Sequence, residues 1–248
     1  MGIYETFCEV YDSLFDDSLY PQWLSFTEKV VPELTSKTDW LDLGCGDGKL
    51  AVLAKQSNYS ITGVDLSPTM IERAQSRAQE AKVDIPFKVA DMLTFHFEDY
   101  HPQLITCFCD SLLYLNEYSK QEQVMRNVYH HLKPNGVFIF DIIHPNWINY
   151  QYPGYTFVHE WDDVVFTWTS DQFRGENTID HSLNMFLEDE DGRYERYEEL
   201  HEQFVAPIED YVSSLTAIGF TEVTVTADFS TDGPNDTSKR IFFTCRKG

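Results

Sequence analysis

Short apolar runs alternate with amphipathic stretches through the middle of the chain. Five apolar runs that end in turn residues predict strands at 39–43, 60–64, 87–90, 104–109 and 137–143. Between them, apolar residues at helical spacing predict helices at 48–56, 68–82 and 119–132. This alternation is typical of a parallel sheet that helices cover on both faces. The ligand of such a sheet binds at the carboxyl ends of its strands.

The two ends of the chain carry further predicted elements. The first 36 residues have helical spacing, and Pro21 opens the second helix of that region. A helix is also predicted at 208–218, with Gly219 as its C-terminal cap. Two closing strands bring the predicted sheet to seven, and they lie at 222–229 and 240–246.

Residues 150–205 interrupt the alternation. Turn residues separate four predicted strands there, at 156–161, 164–173, 179–187 and 194–205. We interpret these strands as an antiparallel unit inserted over the open end of the sheet. The predicted domains are therefore a ligand-binding domain made of 1–149 and 206–248, and an inserted substrate or lid region at 150–205.

The charge of the chain narrows the range of its partners. Lys and Arg number 18 against 41 Asp and Glu, which gives a net charge of −23. Nucleic acids and anionic membranes bind clustered cations, so neither is an expected partner. One local basic patch of Arg73, Arg77 and Lys82 is the exception. A small molecule, and a cationic one in particular, suits the charge better.

The cysteines and histidines favour neither disulfides nor a metal site. Five cysteines are scattered along the chain without a CxxC pair, so we expect free thiols and a reducing cytoplasm. Cys107 and Cys109 are two residues apart, which predicts that they share one face of a strand. The histidines lack the HxxxH and HExxH spacings of metal sites.

A glycine cluster follows the first predicted strand, in the sequence DLGCGDG at 42–48. Glycine allows backbone to approach a ligand closely. The dinucleotide fingerprint is GxGxxG, but here Lys49 stands at the position of the third glycine. A nicotinamide-dependent oxidoreductase is therefore a disfavoured alternative. Asp42 and Asp47 make a phosphate ligand less suitable still, and they suit a ligand with ammonium or sulfonium charge.

Acidic residues also end the next strands. Asp65 lies 21 residues after Gly44, where a carboxylate can accept hydrogen bonds from both hydroxyls of a ribose. Asp91 and Met92 follow the third strand and provide a carboxylate and an apolar side chain that suit an adenine ring. Asp110 and His144 end the fourth and fifth strands, at the same edge of the predicted sheet.

These motifs together resemble those of the class I S-adenosylmethionine-dependent methyltransferases. The resemblance covers about 39–145 and rests on DLGCGDG, GVDLS at 63–67, ADM at 90–92 and LKPNG at 132–136. CDSLLYL at 109–115 and the aromatic N-terminal region resemble the small bacterial methyltransferases of the YqeM kind. The resemblance implies a Rossmann-like, seven-stranded, mostly parallel sheet with an antiparallel last strand. It also implies S-adenosylmethionine as cofactor and S-adenosylhomocysteine as product.

The same resemblance implies roles for individual residues. The residues expected to bind the cofactor are Tyr11, Trp23, Gly44, Gly46, Asp65, Leu66, Met70, Asp91, Met92 and Cys109. In this set Tyr11 and Trp23 close the pocket, the glycines approach the methionine and ribose, and Asp65 holds the ribose. Leu113 departs from the residue common in the family, and we expect it to alter the substrate side.

The acceptor is the part of the reaction that the sequence defines least. Residues 155–205 hold 14 acids and three arginines, which favours a solvated face or a field that attracts an amine. We expect methyl transfer to an N or O atom of a small molecule. The catalytic residue is unknown, and the candidates near the substrate are Tyr114, His144 and His201, with Tyr155 and Trp161 beside them.

Two further interpretations stay open. The alternative function is a sensor or partner subunit that binds S-adenosylmethionine without methyl transfer. The dense aromatic residues between Trp147 and Trp168 suit a substrate pocket, a cage for a cation or the surface of a homodimer.

Overall fold

The computed structural model describes residues 17–98, 100–161, 164–189 and 191–248. The first predicted helix and Tyr11 lie outside these residues. The helices of the described chain are α1 (Leu19–Val30), α2 (Lys49–Gln56), α3 (Pro68–Glu80), α4 (Tyr118–His131) and α5 (Ile208–Ile218). A 3₁₀ turn spans Ser111–Tyr114, and a single π-helical turn spans Trp147–Gln151.

Eleven strands are described. The first five are β1 (Asp39–Leu43), β2 (Ser60–Asp65), β3 (Phe87–Val89), β4 (Leu104–Cys107) and β5 (Val137–Ile143). The next four are β6 (Tyr155–Trp161), β7 (Val164–Asp171), β8 (Thr178–Glu188) and β9 (Tyr194–Phe204). The last two are β10 (Phe220–Ala227) and β11 (Arg240–Lys247).

Seven of these strands form the main sheet, in the order β10-β11-β5-β4-β1-β2-β3. Strands β1 to β5 run parallel to one another, whereas β11 is antiparallel to both β5 and β10. The predicted seven-stranded, mostly parallel sheet with an antiparallel last strand is thus confirmed. The order places the carboxyl ends of β4, β1 and β2 side by side.

The apolar runs form strands because the sheet is buried on both faces. Every residue of β4 and β5 is buried. Phe138 and Phe140 of β5 pack in the core that contains α4 and α5, whereas Ile139 packs in the core that contains α1 and α2. Alternate residues of a strand point to opposite faces, so one continuous apolar run supplies both cores.

The fourth strand is shorter than predicted. It ends at Cys107, and Cys109 and Asp110 take left-handed backbone angles, with φ of +57° and +48°. The expected shared strand face of Cys107 and Cys109 is therefore wrong. The turn directs Cys109 to the carboxyl edge of the sheet. The side chain of Leu113 is fully buried in the core, so any effect of this residue on the substrate side is indirect, and that expectation stays a prediction.

The inserted strands β6 to β9 form a separate four-stranded antiparallel sheet in sequence order. Its small core joins β7 and β8 through Phe166, Leu183 and Met185. Strand β9 contacts the 3₁₀ turn at the carboxyl end of β4, which puts this second sheet beside the open edge of the first. In the described ranges, no helix has the length and apolar character needed to cross a membrane. The division into domains stays a prediction.

Candidate active site

A cavity of about 650 Å³ opens at the carboxyl ends of β1, β2 and β4. This volume lies in the range of small-molecule sites. Of the ten residues predicted to bind the cofactor, nine line it: Trp23, Gly44, Gly46, Asp65, Leu66, Met70, Asp91, Met92 and Cys109. The tenth, Tyr11, is outside the described residues. Tyr114 and His201 also line the cavity, and His201 comes from the second sheet.

The glycine loop forms the floor of the cavity. The backbone N–H groups of Gly44 and Cys45 donate to the Val64 carbonyl at 2.8 and 2.9 Å, which fixes the loop against β2. Gly44 has φ of +74°, and a Cβ there would lie 3.0 Å from Ser111. A Cβ on Gly46 would meet no atom within 4 Å, so the backbone at Gly46 borders open space. The loop therefore offers bare backbone to a ligand.

Asp65 is held in place at the end of β2. Its Oδ2 accepts the Gly46 N–H at 2.9 Å, and its Oδ1 accepts the Ser67 N–H at 2.9 Å. Ser67 in turn caps α3, because its hydroxyl accepts the Met70 N–H at 3.3 Å. A carboxylate oxygen accepts more than one hydrogen bond. The oriented carboxylate therefore retains acceptor capacity for a pair of ligand hydroxyls.

An apolar slot lies beside Asp65. Leu66 is 65% exposed, and it lines the cavity with Met70 and Met92. The Oδ1 of Asp91 accepts the Leu93 N–H at 2.8 Å, which sets the direction of that carboxylate. Flexible thioether side chains adapt well to a flat ring. An aromatic base with one polar edge suits this slot.

The cavity carries more negative than positive charge. Four carboxyl groups line it, against Lys49 and Arg73. Burial raises the pKa of Asp42 from 3.8 to about 7, although its hydrogen bond from Thr106 opposes the shift. Lys49 pairs with Asp17 at 2.8 Å, and Arg77 pairs with Asp47 at 2.6 Å. This balance suits a ligand with a cationic centre better than a diphosphate.

A buried network of ion pairs and hydrogen bonds connects the elements behind the cavity. The sequence reasoning did not identify it. Arg240 pairs with both Asp110 and Asp141, and the indole N–H of Trp23 donates to Asp141 at 3.0 Å. From the second sheet, the Gln203 amide donates to Asp110 at 2.7 Å. The signal for it was present in β5, where Asp141 is the one polar residue of the buried run VFIFDII. A buried carboxylate needs a charged or hydrogen-bonding partner.

Three residues form a hydrogen-bonded chain at the mouth of the cavity. The Tyr114 hydroxyl lies 2.9 Å from Nδ1 of His201. The Nε2 of the same ring lies 3.0 Å from a carboxylate oxygen of Glu199. Two of the three predicted catalytic candidates thus meet, and Glu199 joins them.

The remaining substrate-side candidates lie elsewhere. His144 is buried at the end of β5 outside the cavity lining, and its Nδ1 accepts the Asn146 N–H at 2.9 Å. Tyr155 packs edge-on against Trp168 in the second sheet. The side chain of Trp161 is outside the described part of the chain. Within the described ranges, no three His, Cys, Asp or Glu side chains cluster as a metal site.

Comparison with known sequences identifies the family. Residues 41–136 match the family described as a methyltransferase domain. A candidate methyltransferase from Geobacillus sp. (strain WCH70) is 34% identical over 98% of this chain and 99% of that protein. The candidate methyltransferase YqeM from Bacillus subtilis (strain 168) is 32% identical over 99% of this chain and 97% of its own length.

Solved structures share the fold. An S-adenosylmethionine-dependent methyltransferase from Clostridium acetobutylicum ATCC 824 superposes with a TM-score of 0.85 at 24% identity, over all of both chains. The sugar N-methyltransferase KedS8 from Streptoalloteichus sp ATCC 53650 superposes with a TM-score of 0.73 at 21% identity. That match covers 98% of this chain and 92% of KedS8.

The two bacterial relatives are similar over nearly their full length, and the matching domain covers the glycine loop and the carboxylates of the cavity. The predicted enzyme class and the predicted cofactor, S-adenosylmethionine, are thereby confirmed. The chain belongs to the class I S-adenosylmethionine-dependent methyltransferases, in the group that includes YqeM.

Proposed function

We propose that the enzyme methylates a small molecule that binds between the glycine loop and the second sheet. The methylated atom is a nitrogen or an oxygen, and we favour the nitrogen of an amine. The observation that carries this proposal is the composition of one cavity. The glycine loop, Asp65 and Asp91 line its floor, and Tyr114 and His201 line its mouth. A donor and an acceptor can therefore meet in it.

The described residues fit the cofactor. Gly44 and Gly46 would lie along the methionine and ribose, and Asp65 would accept from the ribose hydroxyls. Leu66, Met70 and Met92 would enclose the adenine, beside Asp91. When bound, S-adenosylmethionine supplies an activated methyl group on a positively charged sulfur. The carboxylates of the cavity would favour that charge.

The protein contributes binding and alignment. Trp23, Phe108 and Cys109 line the part of the cavity next to the end of β4. Trp23 is fixed there by its hydrogen bond to Asp141 and by Phe108, whose ring centre is 6.2 Å away. Holding two reactants in line supplies about 7–11 kcal/mol of a reaction barrier. We assign the main acceleration to this alignment.

Three observations support an amine as the acceptor. The net charge of −23 raises the local concentration of cations near an acidic cavity. Glu199 provides one carboxylate at the mouth itself. The fold neighbour KedS8 is a sugar N-methyltransferase. An amino sugar is therefore the first acceptor class to test.

The alternative, a cofactor-binding sensor without methyl transfer, predicts a cavity that only encloses the cofactor. The hydrogen-bonded pair of Tyr114 and His201 at the mouth favours an enzyme, because a sensor has no need of a polar group that moves protons there. The homodimer, the cytoplasmic location and the absence of a nucleic-acid partner stay predictions.

The experiment is a transfer assay with S-adenosylmethionine labelled in its methyl group. The acceptors are a panel of amino sugars, alkyl amines and the matched hydroxyl compounds. We expect labelled product and S-adenosylhomocysteine from members of the amine set, and neither from an Asp65→Ala variant. Tight cofactor binding without transfer to any member of either set would support the sensor instead.

A further inference from the structure

We propose that Tyr114, His201 and Glu199 form a proton relay that removes a proton from the acceptor amine. The inference rests on the proposed function and deepens it, since it assigns how the acceptor is activated. It assigns Glu199, which strand alternation puts on the same face of β9 as His201, as the positioning residue of the relay. Tyr114 is the member that contacts the acceptor.

The fold places Tyr114 above the glycine loop. Ser111 and Tyr114 are the first and last residues of the 3₁₀ turn, and residues three apart in such a turn lie on the same face. The side chain of Ser111 is the group nearest to the position that a Cβ on Gly44 would take, at 3.0 Å. Tyr114 therefore lies one turn, roughly 6 Å, further toward the mouth on the face that lines the cavity.

Strand β9 brings the other two members to the tyrosine. Glu199 and His201 are two residues apart on β9, so their side chains point to the same side of the second sheet. The strand contacts the 3₁₀ turn, and the rings of Tyr114 and His201 are 5.7 Å apart. Glu199 is part-exposed and His201 is mostly buried, which leaves the imidazole shielded between its two partners.

The hydrogen bonds determine which nitrogen of His201 carries the proton. A carboxylate only accepts, so the Nε2 that faces Glu199 must donate. In the neutral ring, Nδ1 is then an acceptor, and the Tyr114 hydroxyl must donate to it. The lone pairs of the tyrosine oxygen are consequently directed away from His201, and the group lines the cavity.

The neighbouring histidine does not compete for this role. His181 is paired with His201 across β8 and β9. Burial lowers the pKa of His181 to about 4, and its Nδ1 is 2.7 Å from the Ser170 hydroxyl. His181 is therefore neutral at physiological pH. It adds no positive charge that would oppose a proton on His201.

The relay moves one proton from the acceptor to His201. A protonated amine gives one N–H proton to the Tyr114 oxygen while the tyrosine proton passes to Nδ1 of His201, and Glu199 stabilises the resulting imidazolium. The freed nitrogen lone pair forms the new N–C bond as the methyl group leaves its sulfur, on which the electron pair of the broken bond remains. The products are the methylated amine as its cation, S-adenosylhomocysteine and a proton on His201.

The first test is nitrogen-15 NMR of the imidazole rings, with His201→Asn to assign the signal of His201. At neutral pH the relay requires the Nε2–H tautomer, with Nδ1 as a hydrogen-bond acceptor. Tyr114→Phe should move the Nδ1 resonance, and Glu199→Gln should shift the population toward the Nδ1–H tautomer. A wild-type ring with its proton on Nδ1, or a spectrum that neither variant changes, would overturn the relay.

The second test separates activation from binding, with the amine acceptor that the labelled-methyl panel gives the highest rate. We expect Tyr114→Phe to lower kcat about 100-fold, and Glu199→Gln about 10-fold, with KM for S-adenosylmethionine unchanged. Glu199→Asp should recover part of the loss. Glu198→Gln is the matched control, because Glu198 is the adjacent residue on the opposite face of β9.

The two proposals fail in different ways. Wild-type protein that transfers no methyl group to any acceptor of the panel contradicts the proposed function, whatever the tautomer of His201. Protein that binds the cofactor and transfers methyl groups equally well with Phe at position 114 contradicts only the relay.

Discussion

Asp42 shows how the cofactor cavity affects the stability of the protein at the scale of one residue. Its carboxyl group is buried at the floor of the cavity and accepts a hydrogen bond from Thr106 at 2.8 Å. Because burial raises its pKa from 3.8 to about 7, the folded protein binds one more proton than the unfolded chain between those pH values. The contribution of this group to the free energy of unfolding is therefore largest at low pH and is lost as the pH rises to 7.

We predict that Asp42→Asn flattens this dependence. Three pKa units correspond to about 4 kcal/mol, which sets the upper size of the effect between pH 4 and pH 7. Asn retains an acceptor oxygen for Thr106 but does not ionise. Urea unfolding of wild type and variant at pH 5 and pH 8 measures the difference. Equal changes in the two proteins would show that Asp42 is already ionised in the folded state at pH 5.

Gly44 is the second position where a single residue decides the geometry. An alanine there would need a left-handed backbone and would place its Cβ 3.0 Å from Ser111. We expect Gly44→Ala to cost about 1–3 kcal/mol of unfolding free energy and to weaken cofactor binding. Gly233→Ala is the control, since its Cβ would meet nothing within 4 Å. Unchanged melting temperature and unchanged cofactor affinity in Gly44→Ala would contradict the close approach.

At the scale of elements, the Arg240–Asp141 pair joins the antiparallel strand β11 to the last parallel strand β5. The guanidinium of Arg240 also donates to Asp110 in the turn after β4, and Asp141 accepts the indole N–H of Trp23 in α1. Four segments around the main sheet therefore meet at one buried ion pair: β11, β5, the turn after β4 and α1. Such a pair is costly to break on one side, because the partner charge stays buried.

We predict that Arg240→Met costs about 3–5 kcal/mol, and that Asp141→Leu combined with Arg240→Met costs less than the sum of the two single changes. Arg196→Met, which breaks an exposed pair with Glu198, should cost less than about 1 kcal/mol. Denaturant unfolding of the four variants gives these values. Additive losses at Arg240 and Asp141 would mean that the two residues act independently.

The same elements show what the sequence could predict. The limits of β5 and α5 are predicted to the residue, because an apolar pattern ends there in turn or cap residues such as Gly136 and Gly219. The end of β4 is predicted two residues late. Phe108 and Cys109 continue the apolar run, and nothing in the residue type of Cys109 indicates a left-handed backbone.

In the site, too, residues set by a local motif could be predicted, whereas pairs of distant residues could not. The positions of Asp65 and Gly44 in the cavity lining could be predicted because each belongs to a short motif at the end of one strand. The pairing of Asp110 and Asp141 with Arg240 could not be predicted, because about 100 residues or more separate Arg240 from them. The pairing also depends on β11 running antiparallel to β5. The sequence places His144 directly after β5 but does not show where its ring points. In the structure the ring accepts the Asn146 N–H and lies outside the cavity lining.

At the scale of the whole molecule, the net charge of −23 is the dominant property. Like charges on a folded surface repel, and dissolved salt at 0.1 M screens the repulsion between charges that are more than about 10 Å apart. We predict that raising NaCl from 20 to 300 mM raises the melting temperature by about 2–4 °C, which corresponds to ~1 kcal/mol in a chain of this size. A melting temperature that falls with salt would indicate that attractive ion pairs outweigh the repulsion.

The central claim is that the cavity binds S-adenosylmethionine through Asp65 and the glycine loop, and calorimetric titration tests it most directly. The ligands are S-adenosylmethionine and S-adenosylhomocysteine, and the proteins are wild type, Asp65→Ala and the exposed control Asp84→Ala. We predict about micromolar binding by wild type and by Asp84→Ala, and its loss in Asp65→Ala. Binding of neither ligand to wild type, or equal binding to Asp65→Ala, would contradict the account.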